Sequence, residues 1–449
     1  MKRSMYIISA AVIFVCSKVC SIVAEVQERN PLDANSHVFM ESIPQVRSRN
    51  DIQKMNRMAS DFVHEVTFVI RQSNISVLTA FLNDVSDPSS ANYGRHMTKQ
   101  EVADMTSNHE ARGAVVSHLT RSGATIVAET LHGEYVTAKA SISVWEEMFK
   151  TQFFMFHQFE SKKLMKKVVR AESYSIPSSL QLHIAGVFNT VQMPSQSLGS
   201  ATIRFRDKAI SEAINLAATG QMTPAKIRKF YNVGDTQGST LSTQCIFATI
   251  EQHFSPSDLS LFQTDVGLPL QAVANVIGGH SSDTVCVANP DTCAEGNLDV
   301  QYIMATSPIS PTTFWYTDDS WSTWLTSVAN TPNPPLVFSI SYVQEESYVT
   351  AAVKDAFNTE AIKLGAMGVT IVAASGDDGA ISRSARQFGS KGCYYAPLFP
   401  ASNPYVTAVG ATSVSTALRF QLLVYLDMCC FFTLLNIDSG SLLLHWLCV

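Results

Sequence analysis

Charge is scarce in this 449-residue chain: Asp, Glu, Lys and Arg make up 16% of it, and the formal net charge is -6. A weakly acidic chain with no long basic run has no electrostatic grip on a phosphate backbone, which excludes nucleic acid as a partner. Regular metal-ligand spacing is missing as well, since none of the nine cysteines falls into the paired pattern of a zinc site. Histidine is rare in the second half. Of eleven, only His253, His280 and His445 follow His183, which leaves a Ser-His-Asp triad with His253 or His280 alone.

What is present begins with a targeting pattern. Lys2 and Arg3 precede the apolar stretch from Met5 to Val15, and Cys20, Ser21 and Ala24 offer small residues for cleavage, so residues 1–24 read as a signal peptide. The apolar core is short for an uncleaved anchor, the alternative. Export makes Asn74, in Asn74-Ile75-Ser76, a glycosylation acceptor and permits disulfides. Cys286 and Cys293 flank a turn-rich VANPDT segment and are expected to close a small loop.

Residues 25–191 read as an α+β domain: HEVTFVIRQ alternates like a half-buried strand, and VLTAFLNDVSDP carries apolar residues at helical spacing. Residues 192–221, rich in Met, Pro, Ser, Gly and Gln around Arg204-Phe205-Arg206-Asp207-Lys208, read as a linker open to proteolysis. From 222 to 416 strands and helices alternate, the pattern of a parallel sheet covered by helices. SYVTAAVKDAFNTEAIKLG is expected to be a long amphipathic helix, and the aromatic TTFWYTDDSWSTW a segment lining a substrate subsite. Residues 417–449 lose this grammar; they read as an aberrant end, or as a membrane anchor in which Asp427 is costly.

Three acids stand out in the second domain. Glu295 and Asp299 are four apart on an expected helix and share a face, where two close carboxyls titrate as a pair and one can act as general base. As surface groups they would simply be solvated. Asp377 follows an apolar strand and Ser375-Gly376; it reads either as an Asx turn or calcium ligand with Asp378, or as a protonated acid that donates to an oxyanion.

These residues, with TPAKIRKFYNVG, ATIEQHFSPSDLSLFQ, GNLDVQYIMA, FSISY, ASGDDGA and PLFPASNPYVTAVGATS in order, resemble the sedolisin family of serine-carboxyl peptidases, of the tripeptidyl peptidase type. FVIRQSNISVLTAFLNDVSDPSSANYGRHMTKQEVADM resembles the family's activation prodomain. The resemblance implies an α+β prodomain followed by a subtilisin-like α/β domain, incomplete at its C-terminus, and a zymogen opened by cleavage in the linker. It implies Glu295 as general base, Asp299 as its orienting carboxylate and Asp377 as the oxyanion-hole acid. Peptide or protein substrates, the chain's own prodomain as partner, and a secreted or lysosome-like acidic setting come with it.

The family's nucleophile lies in an SGTSAS motif, which this sequence does not contain; Ser439-Gly440-Ser441 is followed by Leu442 and lies in the apolar tail. The family's calcium site, in a C-terminal loop, has no counterpart either. The expectation is therefore a peptidase by descent that does not hydrolyse peptides, with a binding or inhibitory protein as the alternative and a membrane partner only if the tail is an anchor. The histidines before the linker carry one more expectation: protonation would weaken the prodomain's hold.

Overall fold

The computed structural model describes residues 36–44, 51–160, 163–194, 222–318, 321–378 and 394–410. The expected signal peptide, nearly all of the linker, the tail and Ser439-Gly440-Ser441 lie outside these residues.

The N-terminal unit contains β1 (His37–Ser42), β2 (Ile52–Arg57), β3 (Val63–Ile70), α1 (Ile75–Ser86), α2 (Lys99–Thr106), α3 (His109–Arg121), β4 (Thr125–Glu129) and β5 (Tyr135–Ser141). It continues with α4 (Ile142–Phe149), β6 (Phe153–Glu160), β7 (Lys163–Ala171), β8 (Ser173–Pro177) and β9 (Ile184–Phe188). Its main sheet has the order β4-β5-β3-β9, antiparallel throughout. The five consecutive buried residues that close β3 show why alternation fades along that strand: its end is covered on both faces. Val66, Phe68, Val115, Leu119, Trp145 and Phe149 fill one core between sheet and helices. α2 opens on a reciprocal capping box between Thr98 and Glu101, which satisfies two otherwise unpaired backbone donors.

The C-terminal unit follows as α5 (Pro224–Phe230), β10 (Gln244–Ala248), α6 (Pro256–Asp265), β11 (Asn275–Ile277), α7 (Asp283–Ala288), α8 (Ala294–Thr306), β12 (Thr312–Tyr316), α9 (Trp321–Asn330) and β13 (Val337–Ile340). Then come β14 (Gln344–Glu345), α10 (Ala351–Ala366), β15 (Thr370–Ala374), β16 (Leu398–Phe399) and β17 (Thr407–Val409). Six strands form a parallel sheet in the order β11-β12-β10-β13-β15-β17. All five residues of β10 are buried, as expected of a central strand covered on both faces.

Two sequence readings change here. The aromatics of TTFWYTDDSWSTW turn inward on β12 and α9, and Trp315, Trp321 and Trp324 pack with Phe338 and Phe357 in the main core, while Asp318, Ser322 and Thr323 of the same segment line a cavity. Aromatic density marks burial as readily as recognition. α10 is not amphipathic in the usual sense, since it is covered on both faces and even Glu360 and Lys363 are buried. Its second cover is the N-terminal unit: Gly186 of β9 lies against Ala352, where a Cβ at 186 would collide with the Ala352 side chain, and Leu82 of α1 packs against Gly365.

Candidate active site

In a parallel sheet the carboxyl ends of the strands share one edge, and there ligands bind. β13 ends at Ile340, in register with Phe247 on one side and Ala373 on the other, so Ser341 and the turn after Ala374 emerge side by side. Gly376, at φ 91, bends that turn in a conformation other residues resist, and a Cβ there would collide with Leu398. Asp377 follows at once.

α8 delivers the other two acids. Cys286 and Cys293 form a disulfide immediately before the helix. Gly296 in its first turn lets the helix approach the turn at His253, whose carbonyl oxygen a Cβ would strike. Asn297 completes the anchorage: its Oδ1 accepts from the Ser255 backbone N–H at 2.8 Å, and its Nδ2 donates to Asp258 at 2.8 Å. Val300 and Met304 bury against Phe254 and Phe314, so the opposite face of the helix carries Glu295 and Asp299.

The three carboxyls form one electrostatic unit. Ser341 Oγ donates to Asp299 Oδ1 at 2.9 Å, while Asp299 Oδ2 is enclosed without a hydrogen-bond partner. Burial pushes the Asp299 carboxyl up to about 8, the Glu295 charge adds to the rise and the Ser341 bond opposes it. Glu295 is raised too, by burial first and then by the charge of Asp377, with Ser341 again opposing. The pair holds a proton into the neutral range, because two enclosed carboxyls this close cannot both ionise freely.

Two neighbours carry no role in the sequence reading. Ser341, the shared donor, and Tyr342, whose enclosed hydroxyl has no hydrogen-bond partner, both lie in FSISY. Burial raises the Tyr342 hydroxyl, and the charges of Asp299 and Glu295 raise it further, so its oxygen faces the pair. The available signal was a serine directly after an apolar strand, too common to single out.

Asn74 is an exposed residue at φ 52, and its Nδ2 donates to the Met105 carbonyl at 2.9 Å. Among the described residues no group of three or more His, Cys, Asp or Glu is placed to hold a metal ion. Also among them, no helix is long and apolar enough to cross a membrane.

Residues 50–193 match the family model described as Pro-kumamolisin, activation domain. The chain is 29% identical to tripeptidyl-peptidase 1 of Dictyostelium discoideum, over 91% of this chain and 72% of that protein. The chain is therefore similar to pro-kumamolisin in its activation domain and to tripeptidyl-peptidase 1 along most of its length. Physarolisin of Physarum polycephalum is 28% identical over 82% of this chain and 63% of its own length, and human tripeptidyl-peptidase 1 is 29% identical over 78% and 61%. The chain thus spans between about three-fifths and seven-tenths of these sedolisin relatives. Among solved structures, a Pseudomonas sedolisin complexed with two molecules of pseudo-iodotyrostatin matches 43% of this chain and 54% of its own, at 21% identity and a TM-score of 0.33.

Proposed function

We propose that this protein is a serine-carboxyl peptidase of sedolisin type in its proform, with residues 25–191 as activation domain, 192–221 as the cleaved linker and 222–416 as peptidase domain. The observation that carries the reading is the placement of Glu295, Asp299 and Asp377 as one coupled group at the carboxyl edge of a parallel sheet. In this reading Glu295 takes the proton of an attacking serine hydroxyl and later returns it to the leaving amine. Asp299, fixed by Ser341, holds Glu295 in orientation. Asp377 serves as the oxyanion-hole acid as the carbonyl becomes tetrahedral. Acyl transfer to the serine oxygen and then to water completes hydrolysis, with peptides as substrate and an acidic, secreted or lysosome-like compartment as setting.

The sequence contains no SGTSAS segment to supply that serine. We therefore propose that a polypeptide of this sequence does not turn over peptides. A fluorogenic tripeptide incubated with it at acidic pH is expected to give neither burst nor turnover. A burst that Glu295→Gln removes would overturn the inactivity and identify a serine elsewhere in the chain, while leaving the carboxylate site intact. An Asp299 that titrates in the ordinary carboxylate range, unmoved by Glu295→Gln, would overturn the site itself. The alternative, a non-catalytic inhibitor, is favoured by the extensive docking of the N-terminal unit on α10; it predicts that this chain, added in trans, inhibits an active sedolisin.

A further inference from the structure

One titratable ring is wired to the end of the activation domain. His64 on β3 is half-buried, with its ring 5.5 Å from that of Phe153. Its Nε2 lies 2.9 Å from the carbonyl oxygen of Asn189. A carbonyl only accepts, so the neutral ring carries its proton on Nε2 and donates it. The backbone of His64 is itself fixed, because its carbonyl accepts from Trp145 Nε1 at 2.9 Å.

The segment that His64 grips reaches the other unit. Arg170 on β7 holds it from a second side, with Nη2 donating to Asn189 Oδ1 at 3.1 Å and Nε to the Gln192 carbonyl at 2.5 Å. Gln192 Nε2 donates to Glu41 Oε2 at 3.3 Å, and Glu41 Oε1 accepts from the backbone N–H of Ala352 at 2.7 Å. A run of contacts therefore leads from the imidazole through residues 189–192 to the first turn of α10.

We propose that His64 is an acid-sensitive joint: a second proton, taken on Nδ1, sets a cation against the Arg170 guanidinium and loosens residues 189–192 from β3 and β7. Ala140, its register partner on β5, Phe153 on β6 and Trp145 on α4 are uncharged; Glu146 on α4, which accepts from the Phe153 backbone N–H, is already paired with Arg57; and the charge that acts on the ring, Arg170, has the same sign as the cation. Burial already holds the ring down at about 4, the Asn189 bond opposes this and Arg170 adds to it. The docked state thus binds the proton less tightly than the free state, so the hold weakens as pH falls from 6.5 towards 4, by on the order of 100-fold in the opening equilibrium. Glu41 works the other way: burial raises its carboxyl despite the Ala352 bond, so acid does not release that contact.

The inference does not depend on the peptidase reading, because no turnover enters its test. Hydrogen exchange of the full chain, corrected for intrinsic pH dependence, is expected to show residues 184–194 opening on the order of 100-fold more at pH 4 than at pH 7. His64→Gln should flatten that dependence, and His118→Gln, which alters a different half-buried ring, should not. A His64→Gln chain that follows the parent curve overturns the proposal. If that variant does not fold, NMR titration of the His64 ring in the parent chain decides: a midpoint near 4 supports the joint, and one near the ordinary 6.5 overturns it.

Discussion

Asp299 is where a single side chain controls most of the chemistry. Its carboxyl is raised to about 8, so the folded chain binds this proton more tightly than the unfolded chain does. The stability it contributes is complete below the ordinary Asp value of 3.8 and is lost as pH rises through about 8. Denaturation midpoints should therefore fall between mildly acidic and mildly alkaline pH, and Asp299→Asn should flatten that part of the profile. Glu295→Gln removes the neighbouring negative charge, and infrared or NMR titration should find the Asp299 midpoint lowered. Ser341→Ala should move it upward, because Ser341 Oγ donates to the charged form, and should cost about 1–2 kcal/mol in unfolding free energy. A Ser341→Ala chain with the parent midpoint would show that this hydroxyl does not hold the pair.

At the scale of elements, α8 is the part whose placement makes the site. Gly296→Ala would drive a methyl into the His253 carbonyl and push the helix off the 249–253 turn; urea unfolding should show a loss of several kcal/mol, and Asp299 should move back towards the ordinary carboxylate range. Breaking the disulfide with Cys286→Ser should cost about 2–3 kcal/mol, as expected for closing so short a loop. Its effect on the Asp299 midpoint should be smaller, since Asn297 still clamps the helix to Ser255 and Asp258. Much of α8 was legible in the sequence, because GNLDVQYIMA pairs a polar start with an apolar continuation. The disposition of Asp377 against Glu295 was not, since 82 positions of chain separate them and only the tertiary fold brings the first turn of α8 to the turn after β15.

For the whole molecule, the decisive contact is the seam along α10. Lys363 Nζ lies 2.9 Å from Glu134 of the N-terminal unit and 3.2 Å from Glu360 on its own helix, and Tyr135 donates to Glu360 at 3.3 Å. Lys99 adds bonds to the carbonyls of Val328, Ala329 and Thr331 at the C-terminal end of α9. Burial pushes Glu134 up, but the Lys363 charge and the Thr130 and Lys363 hydrogen bonds outweigh it, so the carboxyl is held below its ordinary value. Its contribution is complete above the ordinary Glu range and is lost progressively as pH falls through that range to the depressed value. Glu134→Gln should weaken docking by on the order of 3 kcal/mol, read as the midpoint of urea-induced separation of the units. Lys363→Met should cost more, because it strands two buried carboxyls; equal effects would show that Glu360 bears no charge there.

The histidine expectation illustrates what a sequence cannot weigh. Eight histidines precede the linker, and burial acts first to move two of those rings, His64 and His118, downward rather than upward. By itself the sequence determined the alternation of strands and helices, the change from an α+β pattern to a parallel-sheet pattern, the resemblance to sedolisins, and which acids to watch. These follow from periodicity and local motif, which neighbours along the chain encode. The tertiary structure alone decided that the aromatic segment is core, that α10 is sandwiched between two units, and that Glu295, Asp299, Asp377 and Ser341 meet. Burial and electrostatic coupling depend on distance in space, and a linear pattern does not carry that distance.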